Sequence, residues 1–137
     1  MALGVAACSG EPVGEVLAKA TATVGDDELR VWVADEAEER AQGLRGVERL
    51  PSGLDGMLFV FATPTSAVFV MEDTLMPLDV WFFDEEGLLV GSHEMTPCSR
   101  QPCVRYPTPG PVAWAMETPL GERDFQPGMQ LTTSASS

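Results

Sequence analysis

No stretch of this chain approaches the roughly 18 consecutive apolar residues that a membrane-spanning helix requires, although 45% of its 137 residues are hydrophobic. Contact with a membrane is therefore expected through a lipid anchor and not through a helical span. Cations are scarce: 8 lysines and arginines stand against 21 acids, Lys19 is the single lysine, and the net charge is −13. A nucleic-acid partner would meet repulsion where it needs counterion release, so nucleic acid is excluded from the expected partners. The acidic excess reads most simply as a well-solvated surface held far from neutrality, with salt adaptation as a lesser alternative. Histidine is reduced to His93, which must serve any histidine-dependent mechanism and cannot alone make a typical zinc site. There is no Gly-x-Ser-x-Gly elbow, no Cys-x-x-Cys redox spacing and no internal repeat. The length suffices for one domain with one core and is too short for two.

The cysteines are Cys8, Cys98 and Cys103. Val5-Ala6-Ala7-Cys8 followed by Ser9-Gly10 reads like the box at which a prokaryotic lipoprotein precursor is cut and acylated, so the mature protein is expected to begin at Cys8 and to sit at the outer face of a membrane. The stretch ahead of Cys8 is shorter than the charged start and roughly 7–15-residue apolar run of a complete secretory signal, and an ordinary thiol is the alternative. Acylation is preferred because it accounts for the odd thiol once Cys98 and Cys103 pair. In an oxidising compartment those two would close a small ring, for which chain entropy gives about 2 kcal/mol.

Residues 9–16 lack periodicity and read as a tether. Ala18–Val24 and Glu28–Ala34 are β-type runs around the turn cluster Gly25-Asp26-Asp27, a first hairpin. Asp35-Glu36-Ala37-Glu38 then fits a capping box, predicting a helix of about ten residues that stops near Gly43–Gly46. Residues 56–61 and 66–71 are nearly continuous apolar runs and predict two buried strands. Leu78–Phe83 and Leu88–His93, joined by Asp84-Glu85-Glu86-Gly87, predict another pair, with Val112–Glu117 and Met129–Thr133 as the last strands. The fold class expected is α+β, mostly β: a strongly curved sheet or small barrel of about seven short strands with one clear α-helix. The domain is set at 17–133, preceded by a truncated lipoprotein signal and tether over 1–16 and followed by a disordered end over 134–137.

Polar groups concentrate in two places. Met71, Glu72, Asp73, Thr74 and Asp79 surround Pro77 between two apolar strands, and such a loop is a usual place for function. Two of its carboxylates could act as an acid/base pair or as ligands for a hard cation. The plainer reading is that Asp73, Asp79 and Thr74 cap their own turns. Arg100, Arg105 and Tyr106 project from the proline-rich stretch 95–111, expected as a long ordered loop able to contact a carboxylate or another protein, with charge balance as the plainer reading. His93 falls late in a strand, its side chain opposite that of Ser92, and reads most simply as an edge histidine. No metal or cofactor is implied.

Glu39-Arg40 with Gly43-Leu44-Arg45, then Gly56-Met57-Leu58-Phe59-Val60-Phe61, the block 71–79, Pro97-Cys98 with Cys103, and Tyr106-Pro107 together resemble the DUF192 (UPF0127) family over roughly residues 28 to 131. The resemblance implies an exported or lipid-anchored prokaryotic domain and assigns no activity. The family's block usually reads Phe-Trp-Met-Lys-Asn-Thr, whereas this chain has Phe69-Val70-Met71-Glu72-Asp73-Thr74. A cation in that place could hold an anionic ligand; Glu72 would repel one.

The function expected from all of this is a non-catalytic, lipid-anchored binding domain of the cell envelope. It would use a cleft between the 71–79 turn and the Cys98–Cys103 loop for a small molecule, glycan or protein partner, and act as a monomer. The competing expectation is an envelope hydrolase or metal-dependent enzyme in which Asp73, Asp79 and His93 converge.

Overall fold

The structure, a computed structural model, describes residues 17–135. The motif at Cys8 and the tether over 9–16 lie outside the described residues, as do 136–137 of the expected end. Strands β1 (Ala18–Val24) and β2 (Asp27–Ala34) are followed by helix α1 (Ala37–Gln42) and strand β3 (Gly56–Thr65). A short β4 (Val68–Phe69) precedes β5 (Leu78–Phe83) and β6 (Leu89–Met95). The chain ends with β7 (Tyr106–Pro107), β8 (Val112–Pro119) and β9 (Leu131–Thr133). Seven of these form one sheet in the order β6-β5-β8-β3-β2-β1-β9, curled into a half-barrel, and β4 pairs with β7 apart from it. Mostly β with one short helix is thus the fold.

β1 and β2 make the expected hairpin, with Val24 opposite Asp27. Gly25 takes φ +59° at the first central position of this two-residue turn, where that backbone sign favours glycine. β2 and β3 are parallel, which requires a crossover; α1 and the loop after it supply one. The other pairings in the large sheet are antiparallel.

Both faces of the central strands are covered, which explains the nearly continuous apolar run over residues 56–61 of β3. Alternation sends Met57 and Phe59 to a first face with Trp32, Leu78, Val80, Phe82 and Ala115, where Leu44, Val47, Met71 and Met76 cover them. It sends Leu58 and Val60 to a second face with Val31, Val33, Trp81, Phe83 and Met116, beneath Phe125 and Leu131.

Three local expectations are corrected. The helix has 6 residues, not ten, because Gly43 leaves helical geometry at φ +51°. The cap sits one residue later than Asp35 and Glu38 suggest: Glu39 Oε1 accepts from the amides of Asp35 at 3.1 Å and Glu36 at 3.2 Å. Residues 66–71 are not a buried core strand. After a register shift between Val60 and Thr65, the chain leaves the sheet, and two residues pair with β7 while Val68 remains 42% exposed.

The first residue of β3, Gly56, has to be glycine because a Cβ there would run into the carbonyl oxygen of Glu117 on β8. Gly56→Ala must push two core strands apart. It is expected to cost about 1–3 kcal/mol, read as a lower urea midpoint with an unchanged slope.

Candidate functional site

Glu117 lies on β8 opposite Met57 of β3 and Val80 of β5. Paired residues share a face, so its side chain stands on the first face between two apolar neighbours. It is 6% exposed, and among the described residues its carboxyl has no hydrogen-bond or ion partner. Burial penalises the charged form and pushes its pKa from 4.5 up to about 8. At neutral pH this glutamate is mostly a carboxylic acid, able to donate as well as accept.

The carboxyl forms part of the lining of a cleft of about 380 Å³. One wall comes from the end of α1 and its following turn, through Arg40, Gly43, Leu44 and Arg45; another comes from Phe59 and Phe61 of β3; Ala67–Val70 and Thr74 close the third side. Phe69 packs edge-on against Phe59, ring centroids 5.3 Å apart, so the floor is aromatic.

Two guanidiniums belong to this cleft. Arg40 donates from one terminal nitrogen to the Val60 carbonyl at 2.9 Å and stands over the Phe61 ring, 5.6 Å from its centroid. Arg45 lies 3.7 Å from a carboxylate oxygen of Asp73, whose side chain is 73% exposed; an exposed pair of this kind is weak. Asp73 occupies the third position of a turn closed by the Thr74 amide donating to the Met71 carbonyl, at φ +61°. That region suits glycine and asparagine best, so the asparagine usual in the DUF192 pattern has a conformational reason, and aspartate tolerates it. The Gly46 amide donates to the Asp73 carbonyl at 2.9 Å, and Arg45 bridges Thr74. The turn after the helix and the 71–74 turn are thereby joined backbone to backbone, which fixes that side of the cleft.

The residues expected to form a site fall in several places. Thr74 lines the Glu117 cleft. Met71, Arg100 and Tyr106 line a second hollow of about 260 Å³ with Pro97, Cys98 and Val104. Cys98 and Cys103 are disulfide-bonded with Cα atoms 5.7 Å apart, and a backbone bridge joins Glu72 to Cys98. Arg105 is exposed and outside both linings. Asp79 stands on the second face beside Trp81, and its Oδ2 accepts from the Gly121 amide at 2.9 Å, holding the turn that follows β8. His93 pairs with Val80 across the ladder and so faces the other way. Its Nε2 donates to the Pro107 carbonyl at 2.7 Å, and its ring sits 5.7 Å from Phe82 and 5.6 Å from Tyr106. Asp73, Asp79 and His93 are therefore not brought together. Among the described residues no group of three His, Cys, Asp or Glu is placed to hold a metal ion.

Glu117, Arg40 and Arg45 are the functional candidates that the pattern of the sequence did not single out. A signal exists for Glu117: an acid sharing strand parity with Ala113 and Ala115 inside an otherwise apolar run.

The profile of the DUF192 family, described as uncharacterised ACR, matches residues 19–133. A search of curated proteins finds no match. Among solved structures, a Sinorhizobium meliloti protein provisionally labelled a transcription regulator is similar at 27% identity and TM-score 0.75, over 88% of this chain and 98% of its own. A Novosphingobium aromaticivorans protein of unknown function shares the fold at 23% identity and TM-score 0.72, over 96% of this chain and 99% of its own.

Because the folded state holds the Glu117 proton more tightly than the unfolded chain, stability must fall as pH rises from 4.5 to about 8. The slope is about 1.4 kcal/mol per pH unit at most. Urea unfolding across that range should show the fall in the native chain and a flatter profile in Glu117→Gln. Asp79→Ala, by contrast, leaves the Gly121 amide without its acceptor. It should lower stability by about 1–3 kcal/mol while leaving the amide NMR shifts of the Glu117 cleft in place.

Proposed function

The chain belongs to the DUF192 family, and from that premise we propose that it is a non-catalytic binding domain of the cell envelope, lipid-anchored at Cys8, that holds a small ligand in the Glu117 cleft. The observation that carries this reading is the make-up of the cleft: Phe59, Phe61 and Phe69 beside a few polar groups, Arg40, Arg45, Thr74 and Glu117. Concave, largely apolar surfaces with a small number of placed polar groups are what small-molecule sites are made of. Anchorage is supported by the lipidation motif, and an extracytoplasmic location by the Cys98–Cys103 bond, since disulfides persist in oxidising compartments. The transcription-regulator label belongs to the Sinorhizobium protein; here a net charge of −13 opposes a nucleic-acid partner.

The competing reading as a hydrolase or metal-dependent enzyme loses its basis when Asp73, Asp79 and His93 lie apart. A general-acid role for Glu117 is favoured by its raised pKa, but among the described residues no second acid or histidine lines the cleft to activate its one hydroxyl, that of Thr74.

Two measurements test the proposal. The intact mass of the protein from its host's membrane fraction, taken without reductant, should correspond to a chain starting at Cys8 with acyl mass added and two hydrogens missing. An unmodified chain starting upstream, with three free thiols, overturns the anchor. For the cleft, a library of small acids, amines and neutral aromatics should shift the amide NMR signals of residues 40–45, 67–70 and 117. Shifts centred instead on the hollow between Met71 and Tyr106 would move the site there.

A further inference from the structure

Resting on the reading of this cleft as a binding site, we propose that its ligand is a small apolar anion bound in one orientation: anionic group outward on Arg45 and Arg40, and a neutral hydrogen-bond acceptor inward on the carboxylic acid of Glu117. The polarity follows from where the charges are. The chain has seven arginines, and two line this one cleft, where Glu117 is the single acid. Among the described residues the Arg45 guanidinium is paired only with the exposed Asp73 at 3.7 Å, a partner that an incoming anion can replace. Arg40 spends one terminal nitrogen on the Val60 carbonyl and has further N–H groups to offer. A carboxylate or phosphate monoester supplies the same anionic chemistry to such a pair.

An inward anion is disfavoured because Glu117 has Met57 and Val80 as its cross-strand neighbours and no cation beside it on either strand. Charged and titratable groups stand in the cleft wall or on the elements that border it. Arg40 comes from α1, Arg45 from the following turn, and Glu72 and Asp73 from the 71–74 turn; β3 and β5 present apolar side chains on that face. His93 of β6 shares the face beyond Val80 and is bound to the Pro107 carbonyl. An inward amine is also disfavoured: it would share the cleft with two guanidiniums and would force Glu117 to ionise where burial opposes it. A neutral carbonyl, ether or hydroxyl oxygen needs neither. It gives the acid, which borders the cleft, a hydrogen-bond partner that the described residues do not supply.

The test is calorimetric titration of the whole domain with three probes at about pH 7 and about pH 9. 4-Acetylbenzoate carries both groups, 4-isopropylbenzoate is its near-isostere without the acceptor, and 4-acetylbenzylamine replaces the anion by a cation. 4-Acetylbenzoate should bind most tightly, and its affinity should fall about tenfold between the two pH values as an acid of pKa about 8 loses its proton. Glu117→Gln keeps a donor and should bind 4-acetylbenzoate without that fall, and Arg45→Gln should weaken it at both pH values. Equal affinity for the isopropyl analogue, or a wild-type affinity independent of pH, removes Glu117 from recognition and overturns the inference. An amine that binds better at the higher pH reverses the polarity and also overturns it. If no probe binds at either pH, the reading of the cleft as a small-ligand site itself falls.

Discussion

Strand β8 has a neighbour on each side and protein over each face, and this double burial is the constraint from which the site follows. A strand covered on both faces has no solvent side on which to place a charge. Glu117 nevertheless sits there, between Met57 and Val80, at a position where apolar packing would be more stable. Ionising it costs energy that no partner among the described residues returns. The fold accommodates it by keeping the proton, and a neutral acid at the inner side of an aromatic cleft is the consequence.

The remaining parts of the cleft are held by the backbone, not by side-chain chance. Parallel pairing of β2 with β3 demands a crossover, and that crossover brings α1 and the Gly43–Arg45 turn across the first face. The 71–74 turn meets it through the Gly46 amide and the Arg45–Thr74 bridge. On the turn's other side, the Cys98 loop packs through Glu72 and the Met71 carbonyl. One short segment thus borders two hollows, and the rigidity of its backbone positions both.

Much of the fold was legible in the sequence because alternation and turn chemistry are local. Gly25-Asp26-Asp27 announced a hairpin, the run at 56–61 announced a buried strand, and the Asp84–Gly87 turn announced the pairing of 78–83 with its successor. Residues 66–71 misled because an apolar run records burial, not sheet membership: Met71 is in the core while Val68–Phe69 pair only with a short strand outside the main sheet. The site was less legible. Acids crowded in a loop, such as Asp73 and Asp79, draw the eye, yet one braces an arginine and the other holds the Gly121 amide from the opposite face. Asp79 and His93 are close to adjacent across a ladder and still point apart, which requires knowing the register. Glu117 stood alone in an apolar strand. Its meaning depended on Arg40 from a helix and Arg45 from the turn after it, more than seventy positions earlier, and no local pattern carries that distance.

The claim on which the account turns is that Glu117 is a neutral carboxylic acid at physiological pH. It is read most directly by following the side-chain carboxyl carbon of Glu117 by NMR in a glutamate-labelled sample as pH is raised. A titration midpoint near 8 is expected. A midpoint in the ordinary carboxylate range, near 4.5, would contradict it: the carboxyl would then be solvated or paired, and the cleft would present an anion where the account places a donor.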